Sequence, residues 1–436
     1  MALFNRPVGQ PPQLCPKSTC LFPAFAQYLT DGFIRTRMPN TSDGDPQLLR
    51  RQNTSNHQID LCTLYGRTPE QIQALRLSSN KPGERGRLKS QLINDEEYSP
   101  YLLDSEGNLK SEFLVLDAPL GKDHALDPSS IFATGGDRVN SAPQVAMLNT
   151  LFLREHNRLA NVLDRSHSDW DDERVFQTTR NILIMLFIKI VVEEYINHIN
   201  PTPIRFLADP AVSWKADWNR PNWITTEFSL LYRWHSLIPD EMTWGSRTYS
   251  AGNLILNNNP LLQTGLRQAF VDMSAQPASR LAAFNTASAL LPIEEKAINQ
   301  SRECDIAPFA HYRCYSSQPA VERFEDISSN PKVVTLLKDL YGTADRVEFY
   351  PGLFADDQIP NSPLPRLILT MVAVDAFSQA FTNPLFSPRV FNENTFSPLG
   401  WQTIHETADL RQILERNSSG ASLGRISMTR HDWRPI

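Results

Sequence analysis

Cysteine is scarce in this chain. Its five cysteines in 436 residues (Cys15, Cys20, Cys62, Cys304 and Cys314) form an odd set with no Cys-x-x-Cys spacing, which fits neither a disulfide framework nor a zinc site. A reducing location, the cytoplasm, is therefore expected. Long apolar runs are lacking too. The most apolar one, Ile182–Val192, is interrupted by Lys189 and falls short of the ~20 residues of a spanning helix. It is expected as a buried helix, with no transmembrane segment and with peripheral membrane contact left open. Positive charge is not in excess: the net charge of −6 argues against a nucleic-acid partner. Prolines come after Met1 before any apolar leader core can form, so no secretory signal is expected. No fixed repeat and no Gly/Ser linker divides the chain.

What is present suits a compact protein: 41% hydrophobic and 21% charged residues supply a core and a solvated surface. Apolar recurrence at Val145, Leu148, Leu151, Phe152, Leu159 and Val162 marks one buried helical stripe over Gln144–Arg165. Similar patterns, with Asp, Ser, Pro or Gly near several ends, predict helices from Leu21 and over Arg174–Ile199, Trp223–Leu237, Pro260–Ser274, Pro292–Glu303, Pro331–Tyr341, Leu364–Thr382 and Gly400–Arg416. Residues 37–57 and 78–145 read as long loops with small elements. The expectation is a mainly α protein with a surface arm over residues 1–20 and a single domain over 21–436.

Within the Trp223–Leu237 window, Tyr232 and His235 stand three positions apart among apolar residues. On a helix such a pair shares one face, about 5–6 Å apart at Cβ, a spacing that can join a redox tyrosine to a metal-bound histidine. Composition alone leaves the ordinary alternative standing, since a Tyr or His in an apolar helix is more often a satisfied core residue.

The surrounding words point to a family. Thr226-Glu-Phe-Ser-Leu-Leu-Tyr-Arg-Trp-His235 resembles the catalytic-tyrosine and proximal-histidine segment of the haem-dependent fatty-acid oxygenases, the cyclooxygenases and the fungal linoleate diol synthases. Leu21–Thr36 resembles their distal haem helix, and Asp60-Leu-Cys-Thr-Leu-Tyr-Gly66 the next landmark of the family. Leu153-Arg-Glu-His-Asn-Arg158, Phe176-Gln-Thr-Thr-Arg180 and Ile188-Lys-Ile-Val-Val-Glu-Glu-Tyr195 are similar to the cyclooxygenase core. Ile298-Asn-Gln-Ser-Arg302, Leu340-Tyr-Gly342 and Val347-Glu-Phe-Tyr-Pro351 continue in family order. The likeness runs from Leu21 to about Arg416 and implies the animal haem peroxidase fold, with the oxygenase core alone expected.

That resemblance implies haem b as cofactor, with His235 as the axial ligand of its iron. Tyr232 would form a tyrosyl radical once peroxide has oxidised the iron, and would abstract hydrogen from an unsaturated fatty acid to which O2 then adds. Tyr195 matches the tyrosine that hydrogen-bonds the catalytic phenol, and Tyr350 one near the proximal histidine; each is equally readable as a buried tyrosine with a satisfied hydroxyl. Gln27 and Thr30 match the residues flanking the distal histidine. Phe228, Leu231, Met371 and Val372 are the expected channel wall, with Ser378 a looser counterpart of the channel serine. His156 reads as a structural histidine in a charged helical motif, while His57, His198, His311 and His405 carry no role.

The departures lie opposite the proximal side. Asp31 stands where the family has its distal histidine. A carboxylate can accept the peroxide proton but, with an unperturbed pKa of about 3.9, returns it poorly unless burial raises that value, so a weakened peroxidase step is expected. Gly32 replaces a calcium-ligand position, and no calcium is expected. Thr202 replaces the tyrosine at the channel mouth, leaving Arg205 as the nearest cation, more simply read as a solvated surface residue. The expected reaction is oxygenation of a linoleate-like acid to a hydroperoxide. A hydroperoxide peroxidase or isomerase, and a non-catalytic haem-binding protein, are the alternatives.

Overall fold

The computed structural model describes residues 1–37, 45–117, 119, 126–420 and 422–435, so parts of the expected loops 37–57 and 78–145 lie outside the described residues. Among the described residues the architecture is mainly helical, as expected, with three two-stranded antiparallel ribbons. Its centre is the Pro143–Ser166 helix, nearly every turn of which is buried, with Leu148, Leu151, Phe152 and Leu159 fully enclosed. The Leu21–Phe33 and Asp172–Ile190 helices pack along it.

Asp171 caps the second of these through its side chain, accepting from the Arg174 amide, with Asp172 and Glu173 complementing the helix dipole. By length and composition the Asp172–Ile199 segment could cross a membrane, but 72% of that window is buried within the protein. The predicted single helix is also interrupted: Val191–Ile196 adopts a π-helical turn before Asn197–Ile199 resumes. A π-turn holds one residue more than an α-turn and so rotates the next residues about the helix axis by about 100°. Tyr195 sits in this widened turn.

Three other predicted helices divide. Pro260–Ser274 is two helices, Asn259–Thr264 and Leu266–Ala275, broken at Gly265. Its φ of +78° favours glycine, and a Cβ there would lie 2.7 Å from Glu96. Gly400–Arg416 is the end of one helix, Glu393–Glu406, and a second, Leu410–Arg416, restarted by the Asp409 cap, which accepts from the Gln412 amide. Trp223–Leu237 is helical only over Thr226–Leu231 and returns as a 3₁₀ turn at His235–Leu237.

The expected arm over residues 1–20 is exposed or half-buried from Asn5 to Leu14 and anchored on either side of that stretch. Leu3 and Phe4 belong to the same apolar cluster as Met428, and the Leu14–Thr19 strand pairs with Pro277–Ser279.

Candidate active site

Thr225 caps the Thr226–Leu231 helix by accepting from the Phe228 amide, and the helix stops at Tyr232 (φ −97°, ψ 17°). Trp234 donates its indole N–H to the Leu231 carbonyl, satisfying a group the truncated helix leaves open. The i,i+3 helical geometry expected for Tyr232 and His235 is therefore absent. Aromatic packing orients the tyrosine instead: its ring lies 4.9 Å from Trp234, 5.0 Å from Phe228 and 6.2 Å from Phe33. Trp234 in turn stacks on Phe22, as does Tyr195.

Tyr195 and Tyr232 approach through their hydroxyls. Burial raises the Tyr232 phenol above the usual tyrosine range, the Tyr195 hydroxyl opposing the shift and the Asp375 carboxyl adding to it. The Tyr195 phenol is raised by burial and by the neighbouring Tyr232. Its oxygen is completely buried and has no hydrogen-bond partner of good geometry, so its coupling to Tyr232 is one of proximity. Both phenols thus stay protonated at any working pH, the state from which a tyrosine can give up a hydrogen atom.

His235 opens the 3₁₀ turn with 26% of its side chain exposed, yet its Nδ1 is buried and has no hydrogen bond. The exposed part of the ring is thus the edge away from Nδ1. Facing Nδ1 at 3.6 Å is Oε2 of the fully buried Glu294, just beyond hydrogen-bond length. Thr286 donates to Oε1 of Glu294 at 3.1 Å, and the Tyr350 hydroxyl donates to Oε2, with the Arg233 carbonyl at 3.4 Å as a second acceptor. Tyr350 accordingly stands behind Glu294 and makes no direct bond to His235.

On the side expected to be distal, Asp31 lies buried on the Leu21–Phe33 helix. Arg138 Nε lies 3.2 Å from its Oδ1, while Oδ2 is buried with no partner. Burial raises the Asp31 carboxyl to about 6, with Asp137 adding to the shift and Arg138, Arg67 and Gln27 opposing it. Gln27 also donates to Ser141 Oγ at 2.7 Å. The Thr30 hydroxyl donates within the helix to the Gln27 carbonyl at 3.2 Å. The two sides meet electrostatically, since burial and Arg138 both lower the Arg233 guanidinium. Mechanically, Arg233 donates to Gln300, whose amide donates to Thr36 Oγ1 at 3.3 Å.

The Arg366–Phe381 helix, which carries Met371 and Val372, packs on both the Thr226–Leu231 helix and the π-turn. Phe228, Leu231 and Val372 are buried. Ser378 is directed elsewhere, donating to the Trp218 carbonyl at 2.9 Å. Thr202 and Arg205 are exposed. Both ring nitrogens of His156 are occupied, by Tyr65 Oη and the Gly86 carbonyl at 2.8 Å each, and burial lowers it to about 3. His198 is similarly held between Ser18 and Thr429.

Sequence reasoning missed Glu294, Arg138 and Asp375. A signal existed for Glu294: it falls one helical turn before Ala297 and Ile298, on the buried stripe of its helix, where an unpaired carboxyl is costly.

The animal haem peroxidase family matches residues 21–428. The chain is 31% identical over 413 residues to prostaglandin G/H synthase 2 of Bos taurus, covering 94% of this chain and 64% of the relative. It is 32% identical over 400 residues to prostaglandin G/H synthase 1 of Rattus norvegicus, covering 91% and 62%. It thus spans under two thirds of the length of these relatives. Its fold is similar to that of peroxidase A from Dictyostelium discoideum (TM-score 0.77, 18% identity, 98% of this chain and 89% of the other). It is similar to the same degree to fatty acid alpha-dioxygenase of Oryza sativa (TM-score 0.76, 16% identity, 99% and 80%).

Proposed function

The chain belongs to the animal haem peroxidase family, and from that premise we propose that it is a haem-dependent dioxygenase that converts an unsaturated fatty acid and O2 to a hydroperoxide through a radical on Tyr232. Its likeness to prostaglandin G/H synthases and to a fatty acid alpha-dioxygenase supports the substrate class.

The residues present fit the cofactor. A histidine whose Nδ1 is buried and whose opposite edge is accessible has the form of an iron ligand, and Asp31 keeps a buried carboxyl oxygen without a partner. His235 would hold the iron, and Asp31 and Gln27 would handle the peroxide. Bound there, haem supplies a peroxide-driven oxidant strong enough to take an electron from a phenol.

The chain's own residues do the rest. Tyr232, as a radical, takes a hydrogen atom from a bis-allylic carbon and is restored to the phenol. O2 adds to the carbon radical, and the resulting peroxyl radical takes the hydrogen back from Tyr232, which leaves a hydroperoxide and the radical for the next turnover. Tyr195 holds the phenol in place. Phe228, Leu231, Met371 and Val372 offer the apolar wall a hydrocarbon chain needs. Asp31, raised to about 6, can accept the proton of a peroxide and return it near neutral pH, which supports a working peroxide-cleaving step.

The observation that carries the proposal is the pairing of a protonated Tyr232 with Tyr195 beside an apolar wall and next to His235. The test is oxygen uptake by the haem-loaded protein with linoleate and ¹⁸O2. Incorporation of both atoms of one O2 into a hydroperoxide is expected. Consumption of added hydroperoxide without any oxygen uptake would establish the peroxidase alternative instead.

A further inference from the structure

Glu294 is an unusual residue to find where it is. It is completely buried on the Leu291–Glu303 helix, and among the described residues its one partner at ion-pair distance is His235, at 3.6 Å. Arg233 is close enough to be affected by its charge but bonds to Gln300. Its two oxygens are otherwise engaged by hydroxyl donors: Thr286 on Oε1 and Tyr350 on Oε2. A carboxyl oxygen accepts more than one hydrogen bond, and what remains of Oε2 is turned toward a buried imidazole nitrogen that has no acceptor of its own. A buried imidazole nitrogen without a partner therefore faces a carboxyl oxygen with accepting capacity to spare, and a buried polar group left unpaired is costly.

We propose that Glu294 is the positioning residue of His235: by accepting the Nδ1 proton it fixes the ring's tautomer, leaves Nε2 free for a metal and makes the imidazole a stronger electron donor. Histidines that ligate metals are oriented in this way by carboxyl groups that take their second N–H. Tyr350 and Thr286 act as a brake, because each bond they donate to Glu294 weakens it as an acceptor for His235. The inference rests on the reading of His235 as the axial ligand.

The experiment uses the full chain loaded with haem, and reads the iron–histidine stretching band of the ferrous protein and the ferric/ferrous reduction potential. Glu294→Gln replaces a carboxyl by a weaker acceptor of the same shape; the band should fall in frequency and the potential rise. Glu294→Asp should recover part of both shifts. Tyr350→Phe removes a competing donor and should move both quantities the opposite way, an opposition that general loosening of the site does not produce. If Glu294→Gln does not fold, the direction of the Tyr350→Phe shift decides. A band that is present but unmoved in Glu294→Gln, or that moves the same way in both variants, overturns the role of Glu294 alone. A wild-type protein with no iron–histidine band, matched by an unchanged spectrum in His235→Ala, overturns the axial assignment itself.

Discussion

The buried Asp31 pairs with the half-buried Arg138 through only half of its carboxylate: Nε lies 3.2 Å from Oδ1, while Oδ2 is enclosed without a partner. Pairing with Arg138 lowers the carboxyl, yet burial outweighs it and the group titrates at about 6. An incompletely satisfied, desolvated carboxylate is poor for stability and well suited to moving a proton.

The rate of hydroperoxide cleavage should therefore rise as the pH climbs through about 6, where Asp31 becomes a base. Asp31→Asn should remove that inflection. Stability should change in the other sense. The folded carboxyl holds its proton more tightly than the unfolded one, so ionisation destabilises the fold progressively from about pH 4 to about pH 6, with the full cost above. Asp31→Asn should be more stable than wild type at pH 7.5 by on the order of 1–3 kcal/mol, reduced by the loss of the Arg138 pair, and indistinguishable at pH 4. Denaturant unfolding at both pH values measures this; an equal difference at each would refute it.

Tyr232→Phe should bind haem normally and take up no oxygen with linoleate, and peroxide should raise no tyrosyl electron-spin signal at that position. Tyr195→Phe should weaken the reaction without abolishing it. Loss of a polar contact of about 1 kcal/mol corresponds to roughly a fivefold change, readable in oxygen uptake and in a changed line shape of the radical.

His156→Leu tests the assignment of that histidine to the scaffold. The change strands the Tyr65 hydroxyl and the Gly86 carbonyl in a dry interior, a loss of about 2–5 kcal/mol. A large drop in Tm with an unchanged haem spectrum is expected; a spectral change at unaltered stability would make His156 a ligand.

Val372→Phe should separate radical formation from substrate entry. Val372 is fully buried on the helix that packs against Phe228 and Leu231, and overfilling such a site costs about 1–3 kcal/mol. The peroxide-induced Tyr232 signal should persist while linoleate oxygenation falls or shifts its product ratio. Unchanged turnover with a single product would remove Val372 from the channel wall.

The helical class was readable because buried stripes recur at helical spacing, as in Gln144–Arg165, and most predicted helices exist within a few residues. Where the pattern misled, a local feature too small to alter it intervened. Gly265 breaks one helix through a positive φ, Asp409 restarts another by capping it, and the π-turn around Tyr195 leaves no mark in composition. The Tyr232–His235 segment has an apolar pattern compatible with one helix, but the indole of Trp234 captures the helix end.

By itself the sequence determined the family and the helical framework and singled out Tyr232, His235 and Asp31 as candidates, since each is read from residue types in chain order. Only the tertiary structure decided what those residues meet. Glu294 behind His235, Arg138 on Asp31 and Tyr195 against Tyr232 are contacts between segments remote in the chain. Protonation preference, acceptor strength and the orientation of a ring depend on burial and on partners a few ångströms away, and neither quantity is written in the spacing of residues along a chain.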